Sequence, residues 1–248
     1  MDNKEYKKIF YERRYGIGNV YVRQKGFNFI EFIYSKLKRL ELHREDAADR
    51  LIINGERLLD IGCGNGSFIF KVKDKFKEIH GVDIASNRIS EAKRLKAEMY
   101  QKADITFKTV DIDSGLPFKD GYFDAITCLS VLEHIYDPYF IISEVSRVLR
   151  KGGVCILEVP NIAWLPRRIS LFFGNLPETS NDDGWDGGHL HYFTVGSLRD
   201  FLVAHGFKIM CISGVGIFSS IRNYWVSLLS GGIIIKAEKN GRVRVGSE

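Results

Sequence analysis

From residue 55 to residue 160, short apolar runs alternate with stretches in which apolar positions recur every three to four residues. The first pattern is that of a buried strand and the second that of an amphipathic helix. Strands are therefore predicted over 57–61, 78–84, 105–110, 123–129 and 154–159, with helices over 67–76 and 86–101 and a third running from residue 137 to the glycines at 152 and 153. Asp137 caps the last of these helices, and Pro138 fits its first turn, where no amide hydrogen is needed. Its inner face is Ile141, Val145, Val148 and Leu149, and Gly152 and Gly153 end it. A helix over 194–205 and strands over 207–213 and 233–237 follow. Such alternation gives a mostly parallel sheet with helices on both faces, a doubly wound α/β fold.

Two segments depart from this rhythm. Residues 1–25 are aromatic and basic, with Tyr6, Tyr11, Tyr15 and Tyr21 spread along them, as in an arm or a flap over a site. Phe29, Phe32, Ile33, Leu37 and Leu40 then recur at helical spacing, predicting a helix from about residue 27 to 53. Residues 161–193 show no clear period, and irregular loops of that length are commonly lids or binding loops. The chain thus divides into an arm and helix (1–55), a core (56–160), an insertion (161–193) and a C-terminal part of the sheet (194–248).

Composition narrows the classes. Of the 248 residues, 45% are hydrophobic and 27% charged, ordinary globular usage that excludes a disordered or fibrous chain. The formal net charge is +5, but residues 111–160 carry twice as many acidic as basic side chains. A nucleic-acid binder concentrates a basic face, so the balance argues against nucleic acid. Cys63, Cys128, Cys155 and Cys211 are far apart and sit in apolar runs, with no histidine at ligand spacing. That is the usage of a reduced, cytoplasmic protein without structural zinc. The N-terminus has no apolar core to act as a signal peptide, and the most apolar late run, 225–235, is too short to cross a bilayer. No membrane span is expected.

The sharpest chemical signal is LLDIGCGNG over 58–66, an apolar strand running into Asp60 and then Gly62, Gly64 and Gly66 ahead of a helix. Glycines there let the backbone turn tightly and approach a ligand closely. A nicotinamide-binding GxGxxG would need its third glycine at Ser67, so a dinucleotide oxidoreductase fits less well. Asp83 follows in GVDIA, at the end of the second strand of the core.

These blocks resemble the class I S-adenosylmethionine-dependent methyltransferases, and three further blocks extend the resemblance to about residue 207. They are VDIDSGLPF, GYFDAITCLSVLEHI and RVLRKGGVCILEVPN. The resemblance implies a Rossmann-like, seven-stranded, mostly parallel sheet with its last strand antiparallel. It implies S-adenosylmethionine as cofactor and S-adenosylhomocysteine as product. The cofactor residues it implies are Asp60, Gly62, Cys63 and Gly64 at the glycine turn, Asp83 and Ile84 for the ribose, Asp111 and Ile112 for the adenine, and Leu129. Asp113 rivals Asp111. Some quinone-precursor O-methyltransferases hold a divalent ion with a second glutamate three residues before a Glu-His pair. Ser130 stands at that position here, so no metal is expected.

Methyl transfer from a sulfonium is an in-line displacement, and a hydroxyl acceptor must also lose a proton, most readily to a histidine near neutral pH. The candidates are His189 and His191 in GGHLHYFT, favoured over His134 because that histidine recurs in relatives whatever they methylate. Trp164, Trp185 and Tyr192 are expected to line the acceptor site. The resulting expectation is methylation of a small-molecule acceptor, most readily at oxygen. The alternatives are methylation of a macromolecule and a non-catalytic adenosyl-ligand-binding module.

Overall fold

The computed structural model describes residues 41–180, 185–217 and 219–240, together with Ile9 and Glu12. Among the described residues eight strands form one sheet: β1 (Glu41–Leu42), β2 (Gly55–Ile61), β3 (Phe76–Asp83), β4 (Ile105–Thr109), β5 (Phe123–Leu129), β6 (Leu149–Pro160), β7 (Phe207–Ile217) and β8 (Gly232–Lys239). Their order is β1-β7-β8-β6-β5-β2-β3-β4. The five strands from β2 to β6 run parallel, whereas β8 lies antiparallel between β6 and β7. The expected seven-stranded sheet with its last strand antiparallel is present, and the two-residue β1 adds an edge beside Gly216 and Ile217 of β7.

The helices are α1 (Arg44–Leu51), α2 (Ser67–Val72), α3 (Ser86–Met99), α4 (Pro138–Val148), α5 (Leu165–Phe172), α6 (Val195–Ala204), α7 (Ser219–Arg222) and α8 (Val226–Leu229). Strand residues alternate between two cores because the pleat has period two. Leu58, Ile79, Ala125, Ile156 and Ile234 pack with Ala48 of α1, Ile69 of α2 and Ile89 of α3. Leu59, Ile61, Ile126, Leu157 and Ile235 pack with Ile141 and Val145 of α4 and Leu198 and Leu202 of α6. Both faces are thus dry. That is why the strands read as near-continuous apolar runs rather than as alternating ones.

Three expectations are corrected. A helix from 27 to 53 does not describe residues 41–53: Glu41–Leu42 pair with β7, only Arg44–Leu51 are helical, and residues 1–40 other than Ile9 and Glu12 lie outside the described residues. The helix after Asp137 ends at Val148, not at Gly152 and Gly153, because Leu149 is already extended opposite Phe123. The register then jumps from Leu149 to Val154, and both glycines fall in that irregularity inside β6. The insertion is not structureless either. It contains α5 and a 3₁₀ turn over Trp185–Gly188, and a bridge between Asn161 and Phe193 closes its base. Asn161 is fully buried and donates to the Ser227 and Ser230 carbonyls.

The start of α4 is built as expected, with the Asp137 carboxylate accepting the Phe140 amide at 3.0 Å and Pro138 in the first turn. Among the described residues no helix is long and apolar enough to cross a membrane. Asp137→Ala should lower the unfolding free energy by about 1 kcal/mol, the usual worth of such a cap. Urea denaturation checks this, with a lower midpoint and an unchanged slope as the expected result.

Candidate functional site

The sheet order reverses at β2, whose two neighbours are β3 and β5, and crevices at such points are where open α/β sheets take ligands. The glycine turn folds over the end of β3. The amides of Gly62 and Cys63 both donate to the Val82 carbonyl, at 2.8 and 3.0 Å. The Asp83 carboxylate then fixes the turn from the other side, accepting the Gly64 amide at 2.9 Å and the Ala85 amide at 2.8 Å. Burial pushes the Asp83 carboxyl up, and these two amides oppose that shift. Gly66 caps α2 at φ +84°, and a Cβ there would stand 2.8 Å from the Phe107 ring. Only glycine satisfies both demands.

One cavity opens at these strand ends, and Gly62, Asp83, Ile84, Asp111, Ile112 and His134 all line it, with apolar walls from Val82, Val110, Val131 and Ile135. Five of the nine residues expected at the cofactor therefore meet around one space. Asp60, Cys63, Gly64 and Leu129 are not on its wall. Gly64 acts one step back, through its amide to Asp83. Leu129 packs against the Leu58 and Ala125 core. Cys63 is buried, and burial pushes its thiol up. Asp60 is buried behind the turn, accepting the Thr127 hydroxyl at 2.6 Å, and desolvation raises its pKa to about 7. Asp113, the rival of Asp111, faces away: its carboxylate accepts the Tyr136 amide.

The three histidines separate. His134 is on the cavity wall, with its Nδ1 3.1 Å from the Gly188 carbonyl oxygen. His189 sits behind it, 7% exposed, with the two rings edge to face at 4.6 Å. His191 lies further along, its Nε2 buried without a hydrogen-bond partner. Neither His189 nor His191 lines the cavity. The loops meet because the Glu133 carbonyl accepts the amides of Leu190 and His191 at 2.8 and 3.1 Å, tying the end of the insertion to the loop after β5.

A second, larger cleft of about 910 Å³ lies beside the first, and Ser130 borders both. Trp164, Arg44, Arg167, Arg222 and Glu158 line it. The guanidinium carbons of Arg167 and Arg222 stand 5.5 and 5.7 Å from the Trp164 ring. Tyr192 lies on neither wall and is 41% exposed, and the Trp185 side chain lies outside the described residues. Ser130 has φ +54°, a conformation L side chains rarely adopt, and Glu158 holds it there. The Ser130 amide donates to the Glu158 carbonyl at 2.9 Å and its hydroxyl to the Glu158 carboxylate at 2.6 Å.

Sequence reasoning passed over Glu158, Glu133, Thr179 and Asp186. The readable signal was a lone glutamate in the apolar strand VCILEVP and another in LEH. Both carboxyls are buried, and burial together with their mutual repulsion pushes the Glu133 carboxyl up. Glu133, His134 and His189 each offer one ligand atom, all within 4.8 Å of one another.

With this geometry in place, the relatives of the chain can be stated. It matches the family described as "Methyltransferase domain" over residues 52–186, more than half of its length, and it belongs to that family. The ubiquinone biosynthesis O-methyltransferase of Dechloromonas aromatica is 31% identical over 119 residues, which are 48% of this chain and 50% of that protein. The protein of the same name from Psychrobacter cryohalolentis is 30% identical over 108 residues, 43% of this chain and 42% of that one. The chain thus spans about half the length of these curated relatives. A solved S-adenosylmethionine-dependent methyltransferase from Mesorhizobium loti shares the fold, with a TM-score of 0.58 and 18% identity, covering 78% of this chain and 97% of that one.

The buried carboxyls set a pH dependence. With a folded pKa of about 7, Asp60 keeps a proton that the unfolded chain releases near pH 4, so stability falls as pH rises between those values. Asp60→Asn, which preserves an oxygen for Thr127, should remove up to roughly 4 kcal/mol of that fall. Urea denaturation at pH 5 and pH 8 checks it, the variant losing less stability than the parent across the interval.

Proposed function

We propose that the chain transfers a methyl group from S-adenosylmethionine to a hydroxyl of a small-molecule acceptor, leaving S-adenosylhomocysteine. The observation that carries this reading is the meeting of Asp83, Asp111 with Ile112, and His134 around one cavity at the strand ends. The chemistry of that wall suits an adenosyl group. Each Asp83 oxygen keeps a lone pair after accepting one amide, so the carboxylate can take the ribose hydroxyls. Asp111 is an acceptor for the adenine amino group, and the apolar residues flank the ring.

The acceptor is assigned to the neighbouring cleft, whose volume suits a small molecule and whose wall is about half polar and half apolar. Trp164 lies there, as the sequence suggested for a substrate residue. His134 is the histidine best placed to take the acceptor proton. Its Nδ1 can only donate to the Gly188 carbonyl, so the neutral ring carries its lone pair on Nε2. The protein otherwise needs only to align two reactants and exclude water, since the sulfonium is already a good leaving group. The O-methyltransferase names of the matched relatives support oxygen as the accepting atom.

Calorimetry with S-adenosylhomocysteine tests the donor pocket. Asp83→Ala should weaken binding by about 1.5–3 kcal/mol, the worth of hydrogen bonds to a charged group. NAD should give no heat of binding, and equal affinity for NAD would overturn the reading. His134→Ala should slow transfer of labelled methyl to a panel of catechols, hydroxy acids and sugars by about 10²–10⁴-fold. S-adenosylhomocysteine affinity should fall by far less than the rate in that variant.

A further inference from the structure

Glu133 presents a problem that the methyl-transfer reading does not solve. Its side chain is 1% exposed, and neither carboxyl oxygen has a hydrogen-bond partner among the described residues. A buried carboxyl left in that state costs several times what an ordinary hydrogen bond returns, so such groups are usually paired or bound to a cation. The groups facing it are imidazoles, with His189 Nε2 4.0 Å from one Glu133 oxygen and His134 completing the cluster.

Both imidazoles are held in one tautomer by what lies behind them. His134 Nδ1 faces the Gly188 carbonyl oxygen, which cannot donate, so Nδ1 carries the proton. His189 Nδ1 lies 2.6 Å from the Thr179 hydroxyl, and that hydroxyl donates its only hydrogen to the Asp186 carboxylate. The same Asp186 carboxylate accepts the amides of Thr179 and Ser180, at 2.6 and 2.8 Å, which holds it in place against the Thr179 hydroxyl. His189 Nδ1 must therefore be the donor to Thr179. In each ring the lone pair falls on Nε2. A ring whose far nitrogen donates to a carbonyl, or through a hydroxyl to a carboxylate, is the arrangement that orients metal-binding histidines.

We propose that Glu133, His134 and His189 bind a divalent transition-metal cation through one carboxylate and two Nε2 atoms, with the open position on the cavity side of His134. Two imidazoles and a carboxylate suit zinc, cobalt or iron, whereas magnesium and calcium require a mainly oxygen shell. The set differs from a paired-carboxylate site, which Ser130 rules out here, because its third ligand comes from the insertion 55 residues further on. Drawing His189 Nε2 and the Glu133 oxygen from 4.0 Å to the tetrahedral edge of roughly 3.4 Å asks for a contraction of about 0.6 Å, within a cluster whose ligand atoms all start within 4.8 Å of one another. With the cation bound, His134 Nε2 is a ligand and no longer a base, and the acceptor hydroxyl would instead lose its proton to water on binding the cation, which lowers its pKa. That function rests on the methyl-transfer reading. The binding of the cation does not.

The test uses the full-length, tag-free chain, stripped with a chelator and dialysed separately against zinc and cobalt. The expected result is one ion per chain, a cobalt form with visible absorption, and no displacement by millimolar magnesium. Glu133→Gln, which keeps the side-chain volume, and His189→Gln should each lose the ion. Thr179→Val should weaken zinc binding by about 10–100-fold through the His189 ring. Thermal stabilisation by S-adenosylhomocysteine, measured on every variant, reports whether the fold and the donor pocket survive. No stoichiometric ion in the parent chain would overturn the proposal. So would equal binding in folded Glu133→Gln and His189→Gln variants. A chain that binds zinc but not S-adenosylhomocysteine would sink the methyl-transfer reading and leave the metal site standing.

Discussion

The Asp83 carboxylate is the contact on which the rest of the site depends. It stands at the end of β3, next to the strand where the sheet order reverses, and it accepts two backbone amides from opposite directions. One fixes the glycine turn after β2 and the other the entry to α3. An acceptor with less than a full negative charge would hold both amides less well, since charge-assisted hydrogen bonds are roughly twice as strong as neutral ones. The same oxygens line the cavity, so the group that shapes the turn is also the group a ligand meets. Glu12 of the arm approaches the same helix start, accepting the Ser86 hydroxyl at 2.7 Å and, through its carbonyl, the Asn87 side chain at 3.3 Å.

A second constraint runs along the other side of the reversal. Asp60, Glu133 and Glu158 are all buried with no lysine or arginine paired to them among the described residues, an arrangement that costs folding energy unless the groups are protonated or bound to something. Thr127 and Ser130 partly satisfy Asp60 and Glu158. Glu133 has no such partner, and it is also the residue whose carbonyl anchors the insertion. The loop after β5 therefore joins both cavities to the insertion through a single short stretch, 130–134. Strain at Ser130 and an unsatisfied carboxyl three residues later are the kind of local cost that folded chains retain at functional sites.

Most of the fold and half of the site were legible in the chain. β5 falls where its apolar run predicts, because a strand buried on both faces is marked by its composition alone. Asp137 and Pro138 mark the start of α4 for the same local reason, since capping is chemistry between near neighbours. The end of α4 was misread because Gly152 and Gly153 signal a break, while the break that matters is the register jump against Phe123, which no local signal encodes. Gly62, Asp83, Ile84, Asp111 and Ile112, to which the family resemblance pointed, meet around one cavity because strand ends in a parallel sheet converge wherever the alternation is regular.

The histidines show where that legibility stops. In the sequence His189 and His191 are equals, two residues apart, and His134 stands 55 residues away. Which of them faces the cavity is decided by the Glu133 carbonyl, which draws the insertion back and leaves His189 behind His134. The pairing of Glu133 with two imidazoles likewise follows from chain return and from no spacing rule. What the sequence by itself determined was the order of elements, the two-faced core and the residues at strand ends, because each follows from local period and local hydrogen bonding. What only the tertiary structure decided was which distant loops share a space, since closing the insertion onto the β5 loop depends on contacts between residues far apart in the chain.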